Sequence, residues 1–380
     1  MRLIIAPDKF KNSMTASEAA ERIAAGVNSV LPEAELKLLP LSDGGEGLTE
    51  ALCGAGKGII FTTEVTDPLG SNIKANWGIT DRGDTAVIEM AAASGLALIS
   101  SRERDPKKTT TYGTGELIRA ALDHGCKKLI IGIGGSATND GGAGMAEALG
   151  VKFLDRNGNE IGRGGVELQN LSHIDLSGLD PRLKTADIKV ACDVDNPLTG
   201  LQGASYIYGP QKGADSGTVT ALDRALSQLA AIIKKDLDLD IEQTPGAGAA
   251  GGLGAGLMAF LGATLYPGIE LVLDALKIEN FLPGCNLLIT GEGSLDSQSL
   301  HGKAPVGIAK RAASHSVPVI ALAGRISGDP TKFHQVGINA CFAIADGPLT
   351  LAESLKRGPE LIEHKVRELM LFWSTGMMIT

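Results

Sequence analysis

Strand and helix signals alternate at both ends of this chain but not in its middle, and that break constrains the fold most. Leu3-Ile4-Ile5-Ala6 is a short apolar run closed by Pro7-Asp8, the mark of a buried strand. Thr15 and Glu18 have the spacing of a capping box. The helix they open carries Ala16, Ala19, Ala20, Ile23, Ala24 and Val27 at helical spacing. A second strand is expected over 36–41. It ends at Ser42-Asp43-Gly44-Gly45-Glu46-Gly47, and a helix follows to Cys53. The alternation returns after Pro283, with strands over 286–289, 317–323 and 340–345 and helices over 304–314 and from Leu351. In between, 61–65, 75–79 and 85–90 are close-set strands with Pro68, Gly70 and Gly83 in their turns, an antiparallel meander. Two early and three late wound strands make one doubly wound parallel sheet. The expected class is α/β: a discontinuous wound domain of residues 1–56 and 285–380, and an inserted mixed α/β domain of 57–284.

Size agrees, since 380 residues exceed one ordinary core. Composition serves mainly to exclude. Net charge is -9, no basic run occurs and aromatics are 4%, so nucleic acid and anionic membrane are poor partners. The longest apolar and glycine-rich run, 249–263, is too short to span a bilayer. Five widely spaced cysteines without a Cys-x-x-Cys pair point to a reducing compartment and no structural zinc. A cytoplasmic protein acting on small molecules is the expectation.

Glycine is nearly twice as frequent as usual, 50 residues against about 7% in average chains. Six of them sit in one loop, 132–144, between the strand Leu129-Ile130-Ile131 and a helix over 143–149. A strand, a glycine loop and a helix N-terminus point unpaired N–H groups at one spot, which suits phosphate. Gly134, Gly135, Ser136, Thr138, Asn139 and Asp140 are the candidates there, with Asn139 or Asp140 as helix cap. Gly132-x-Gly134-x-x-Ala137, followed by Asp155, also matches a dinucleotide fingerprint loosely, which keeps a dehydrogenase as an alternative. A non-catalytic metabolite sensor is a third possibility.

Wound sheets bind ligands beyond the carboxyl ends of their strands. Asp8, Asp43, Glu292, Arg325 and Asp346 stand at those ends. Asp193 and Asp195 follow a strand over 188–191, and carboxylates at i and i+2 suit Mg²⁺. Lys212 lies between glycines, within reach of a phosphate. The stretch 291–303 adds Glu292, Asp296 and Lys303 at a strand end, without Walker spacing. Asp193 and Asp296 are the carboxylates expected closest to the chemistry, with Asp43 next. Asp296 would orient a hydroxyl, and Asp193 would hold metal or act as base.

Together these motifs resemble the bacterial type I glycerate kinases, the glycerate 2-kinase family. The resemblance rests on A-P-D-x-F-K at 6–11, D-G-G-E-G at 43–47, G-T-G-E-L-I at 113–118 and G-I-G-G-S-A-T-N-D-G-G-A-G-M at 132–145. It continues through A-C-D-V-D-N-P-L at 191–198, G-P-Q-K-G-A at 209–214, G-A-G-A-A-G-G-L-G-A-G at 246–256 and T-G-E-G-x-x-D-x-Q-S-x-x-G-K at 290–303. Two departures are Lys9, where the family usually has Ser, and Leu48, where it commonly has Thr. The resemblance implies a flavodoxin-like domain with an insert, and phosphorylation of D-glycerate by ATP with Mg²⁺. It yields 2-phosphoglycerate on this reading, with 3-phosphoglycerate the alternative. Lys11, in the first motif, joins Lys212, Lys303 and Arg325 as a cation for anionic groups.

Overall fold

The computed structural model describes residues 1–54, 58–80 and 83–377. They divide into two compact units. The first contains Met1–Asp43, Glu50–Ala55 and Ile269–Thr380, and the second Gly44–Thr49 and Gly56–Gly268. The domain boundary expected at 56/57 lies outside the described residues. The later one moves from 284/285 to Gly268/Ile269, for a packing reason. The helix Gly268–Leu276 lies against the helix Ala304–Ser314, where Gly307 leaves room for Ile269. Arg311 of that second helix pairs with Glu270, Asp274 and Glu279.

In the first unit, five parallel strands run in the order Ala340–Ala343, Val319–Ile326, Leu287–Leu295, Arg2–Pro7, Glu35–Leu38. Numbered along the unit, the order is 2-1-3-4-5, that of flavodoxin-like sheets. The chain reverses direction of winding between the Arg2–Pro7 and Leu287–Leu295 strands, which pair in register Leu3 with Leu287 and Pro7 with Gly291. Ligands of such folds sit at that switch point. Helix Ala16–Asn28 begins with the capping box, Thr15 and Glu18 each binding the other's backbone N–H. It buries Ala19, Ala20, Ile23 and Val27 against the sheet and the closing helix Leu351–Met377. Two local readings change. The Leu287–Leu295 strand continues through Gly291-Glu292-Gly293 instead of ending there. The helix expected up to Cys53 is only a short π-turn, Glu50–Gly54.

The second unit holds a six-stranded mixed sheet in the order Thr264–Tyr266, Asp187–Ala191, Lys128–Gly132, Thr85–Glu89, Asn72–Ile79, Ile59–Thr66. The last three are antiparallel, as the turn residues require, and the others parallel. Trp77 is fully buried in its core. Among the described residues, no helix is long and apolar enough to cross a membrane.

Candidate active site

The glycine loop of the second unit turns out to be two structures with different purposes. Its first part, Gly134-Gly135, follows the Lys128–Gly132 strand as an exposed turn, with Gly135 at φ +76°. Their N–H groups donate to no group among the described residues, while Gly135 O accepts from Leu96 N at 2.8 Å. The second part is buried. Asp140 is 1% exposed and accepts from Thr111 N (2.8 Å), Thr111 Oγ1 (2.9 Å), Gly142 N (3.2 Å), Gly144 N (3.2 Å) and Thr110 Oγ1 (3.4 Å). Burial pushes its pKa up, and the bonds from Thr111, Gly142 and Gly144 pull it back. The two threonine hydroxyls themselves accept from Met145 N and Tyr112 N, so they donate to Asp140. Surrounding donors favour the ionised form of a carboxyl and so oppose the effect of burial.

In that segment the anion at the amides is the chain's own. The N-terminal amides of helix Ala143–Ala148 already have a carboxylate, supplied by the chain itself. Its cap residue is Gly142, without a side-chain cap of its own, and not Asn139 or Asp140. Lys212 is buried too. Its Nζ donates to Thr138 O at 2.6 Å, and burial lowers its pKa to about 7, against the pull of Asp140. Asn139 Nδ2 donates to Ser205 Oγ at 3.0 Å, and Thr138 and Ser136 are buried beside them. These residues shape the loop from inside. The remaining glycines serve close packing. The segment Ala249–Leu261 crosses the loop backbone to backbone, so that a Cβ on Gly251 would strike Thr138 O and one on Gly256 would strike Gly141 O.

Asp193 and Asp195 are exposed just past the Asp187–Ala191 strand. Asp193 Oδ1 accepts from Gly268 N at 2.7 Å. Asn196 is spent structurally, donating to Gln202 O and accepting from Tyr208 Oη. Among the described residues, no three His, Cys, Asp or Glu side chains stand close enough to hold a metal alone. Mg²⁺ that arrives on phosphates needs only one or two protein carboxylates, so the Asp193–Asp195 pair fits that smaller share. Asp155 only closes an exposed turn, accepting from Asn157 N and Asn159 N. The strand before it pairs antiparallel with His173–Asp175, so the dinucleotide alternative has no wound strand to rest on.

In the first unit, the switch point gathers charge. Asp8 ends the Arg2–Pro7 strand, with its N–H bound to Gly291 O at 2.8 Å and its Oδ1 accepting from Lys9 N at 2.7 Å. It is 5% exposed, and burial together with the nearby Asp43 raises its pKa to about 7. Glu292 lies on the neighbouring strand with its side chain 8% exposed. Its Oε2 stands 3.5 Å from Lys303 Nζ, and its Oε1 is buried without a hydrogen-bond partner. Burial holds the Glu292 carboxyl above its usual range. Asp296 bears on Glu292 as well, though its own Oδ1 is engaged by Gln298 N and Ser299 N. Lys11 is exposed, and its backbone runs beside Gly293. Arg325 is exposed on the Val319–Ile326 strand. Asp346, the fifth strand-end charge, is instead paired with Arg357 at 2.7 Å. Asp8 stood on the strand-end set but not among the candidate catalytic residues. Its signal was its place at the switch point.

A family model described as the glycerate kinase family matches residues 3–374. The chain is 52% identical over 377 residues to the glycerate 2-kinase of Escherichia coli (strain K12), covering 99% of each chain. It is 51% identical over 369 residues to the glycerate kinase of Bacillus subtilis (strain 168), covering 97% of each. A crystal structure of a Salmonella typhimurium LT2 protein, provisionally named glycerate kinase 2, superposes with a TM-score of 0.92 at 48% identity, over 100% of this chain and 99% of that one. A two-unit α/β enzyme of this kind is a phosphotransferase. The chain belongs to the glycerate kinase family.

Proposed function

We propose that this chain transfers the terminal phosphoryl group of ATP to D-glycerate and yields 2-phosphoglycerate. The observation that carries this reading is the 52% identity, along 99% of both chains, to a protein named glycerate 2-kinase. The geometry supports it. Phosphoryl transfer needs positioning and charge neutralisation more than covalent chemistry. Gly134 and Gly135 offer exposed amides to phosphate oxygens. Asp193 and Asp195 would hold Mg²⁺, which neutralises phosphate charge when bound. Lys11, Lys303 and Arg325 are cations suited to the substrate carboxylate, and Asp43, Glu292 and Asp296 are acceptors suited to its hydroxyls.

Phosphorus NMR of the product from D-glycerate and Mg-ATP tests the reading directly. The 2-phosphate resonance is expected; the 3-phosphate would overturn the regiochemistry, and no turnover would overturn the function. Asp193→Asn and Asp296→Asn should each lower turnover about a hundredfold while leaving thermal stability near wild type. Early melting with full specific activity would mark that carboxylate as structural. Gly135→Val forces a branched side chain onto a positive φ and covers the exposed amides. Turnover should fall about a hundredfold through mispositioning, whereas normal turnover would reduce the pair to a simple turn.

A further inference from the structure

We propose that Asp8 is the catalytic residue that accepts the proton of the glycerate hydroxyl being phosphorylated. The proposal rests on the glycerate kinase reading above and names the base that reading leaves open.

Place comes first. Asp8 is the residue immediately beyond the Arg2–Pro7 strand, at the reversal point of a 2-1-3-4-5 sheet, where such folds receive ligands. Its backbone is pinned to the neighbouring strand through Gly291 O, and its Oδ1 is pinned by Lys9 N. The carboxylate is thus oriented before any substrate arrives. The second observation is independent. Glu292 Oε1, next door on the Leu287–Leu295 strand, is buried with no donor at hydrogen-bond geometry; the nearby Ser299 hydroxyl favours its charge but donates to Ser294 O at 3.3 Å. A buried acceptor left open is costly unless a ligand supplies the donor. Glycerate carries a second hydroxyl that can donate to it while the first faces Asp8.

The charges around Asp8 give it a base's titration. Asp43, past the Glu35–Leu38 strand, and Glu292 both disfavour its ionised form, as does burial, while Lys9 favours it. Lys303, ahead of the Ala304–Ser314 helix, and Asp296 act on Glu292 behind it. The result is a carboxyl with a pKa of about 7, close to the pH at which a general base works best. In the step itself, the glycerate O–H bond breaks and its proton goes to the Asp8 carboxylate. The oxygen keeps the electron pair and forms the new O–P bond. The bond from the terminal phosphorus to the bridging oxygen breaks, and that pair leaves with ADP.

The test is the pH dependence of kcat on the full chain. Wild type should lose turnover below about pH 7 as Asp8 becomes protonated. Asp8→Asn, which can keep the bond to Lys9 N, should lower kcat by about 10²–10⁴-fold and abolish the acid limb. Lys9→Ser removes a cation that favours ionised Asp8, so its acid limb should move to higher pH. If Asp8→Asn keeps kcat within a few-fold, or if its acid limb stays where wild type has it, Asp8 is not the base, and the kinase reading stands. An unmoved limb in Lys9→Ser counts against the proposal in the same way, and that variant leaves the carboxylate cluster intact. No phosphoglycerate from wild type would overturn the kinase reading itself, and the proposal with it.

Discussion

Asp140→Asn should fail as a fold before it fails as a catalyst, losing about 3–5 kcal/mol of stability. Asp140 accepts from three backbone amides and two hydroxyls in a fully buried setting. An asparagine has one acceptor oxygen in place of two. Its amide N–H₂ would face Gly142 N if the oxygen took the Oδ2 position, and Thr111 and Gly144 if it took the other. Buried Lys212 would also lose the charge that favours its protonated form. For a unit of this size such a loss lowers the unfolding midpoint by roughly 10 °C. Thermal unfolding with and without ATP measures it. A normal midpoint with lost turnover would return Asp140 to the phosphate-binding set.

Asp8→Asn should stabilise the protein, and only above acid pH. The folded pKa of Asp8 lies near 7, above the ordinary 3.8. For a group raised in this way, the stabilising contribution is complete below about pH 4 and is lost as pH climbs through 7. At about 1.4 kcal/mol per pH unit, ionised Asp8 costs at most about 4 kcal/mol at pH 8. Asparagine does not ionise, so the variant should match wild type near pH 4 and pull ahead towards pH 8. Denaturant unfolding at the two pH values is the measurement. A constant difference across that range would mean that Asp8 does not titrate there. Stability gained where activity is lost is the expected signature of a strained functional group.

The first unit was legible because its signals are local. Apolar runs closed by Pro7-Asp8, the Thr15–Glu18 capping box and the helix start at Ala304 are each settled within a few residues. Their order in the sheet was not part of that reading and comes from the fold. The glycine loop was legible only as a place. Glycine in sequence does not say whether a bare Cα faces a ligand or another backbone. Gly134 and Gly135 are exposed, while Gly141 and Gly142 are pressed against Gly252 and Gly256, more than 100 residues further on. Asp140 and Lys212 were legible as charges but not as buried ones, for a related reason. A charge among glycines suggests an anion site, and only the fold shows that both are buried and that Asp140 favours the charged form of Lys212. Leu48, a departure from the family pattern, is fully buried and packs beside Gly132.

The pairing of Leu3 with Leu287 has a consequence for synthesis of the chain. The Arg2–Pro7 strand is made before its sheet partner, which emerges only after a further 284 positions. At about 5–20 residues per second that wait is roughly 15–60 s. Throughout it, Leu3, Ile4 and Ile5 have one of their two neighbouring strands at most. The inserted unit has its sheet complete by Tyr266 and can close on itself earlier. The earlier-made strand should therefore be fixed in its sheet after the insert has folded. Pulsed proteolysis of stalled chains ending near residues 270 and 345 should show protection of the insert in the first, and of the N-terminal strand only in the second.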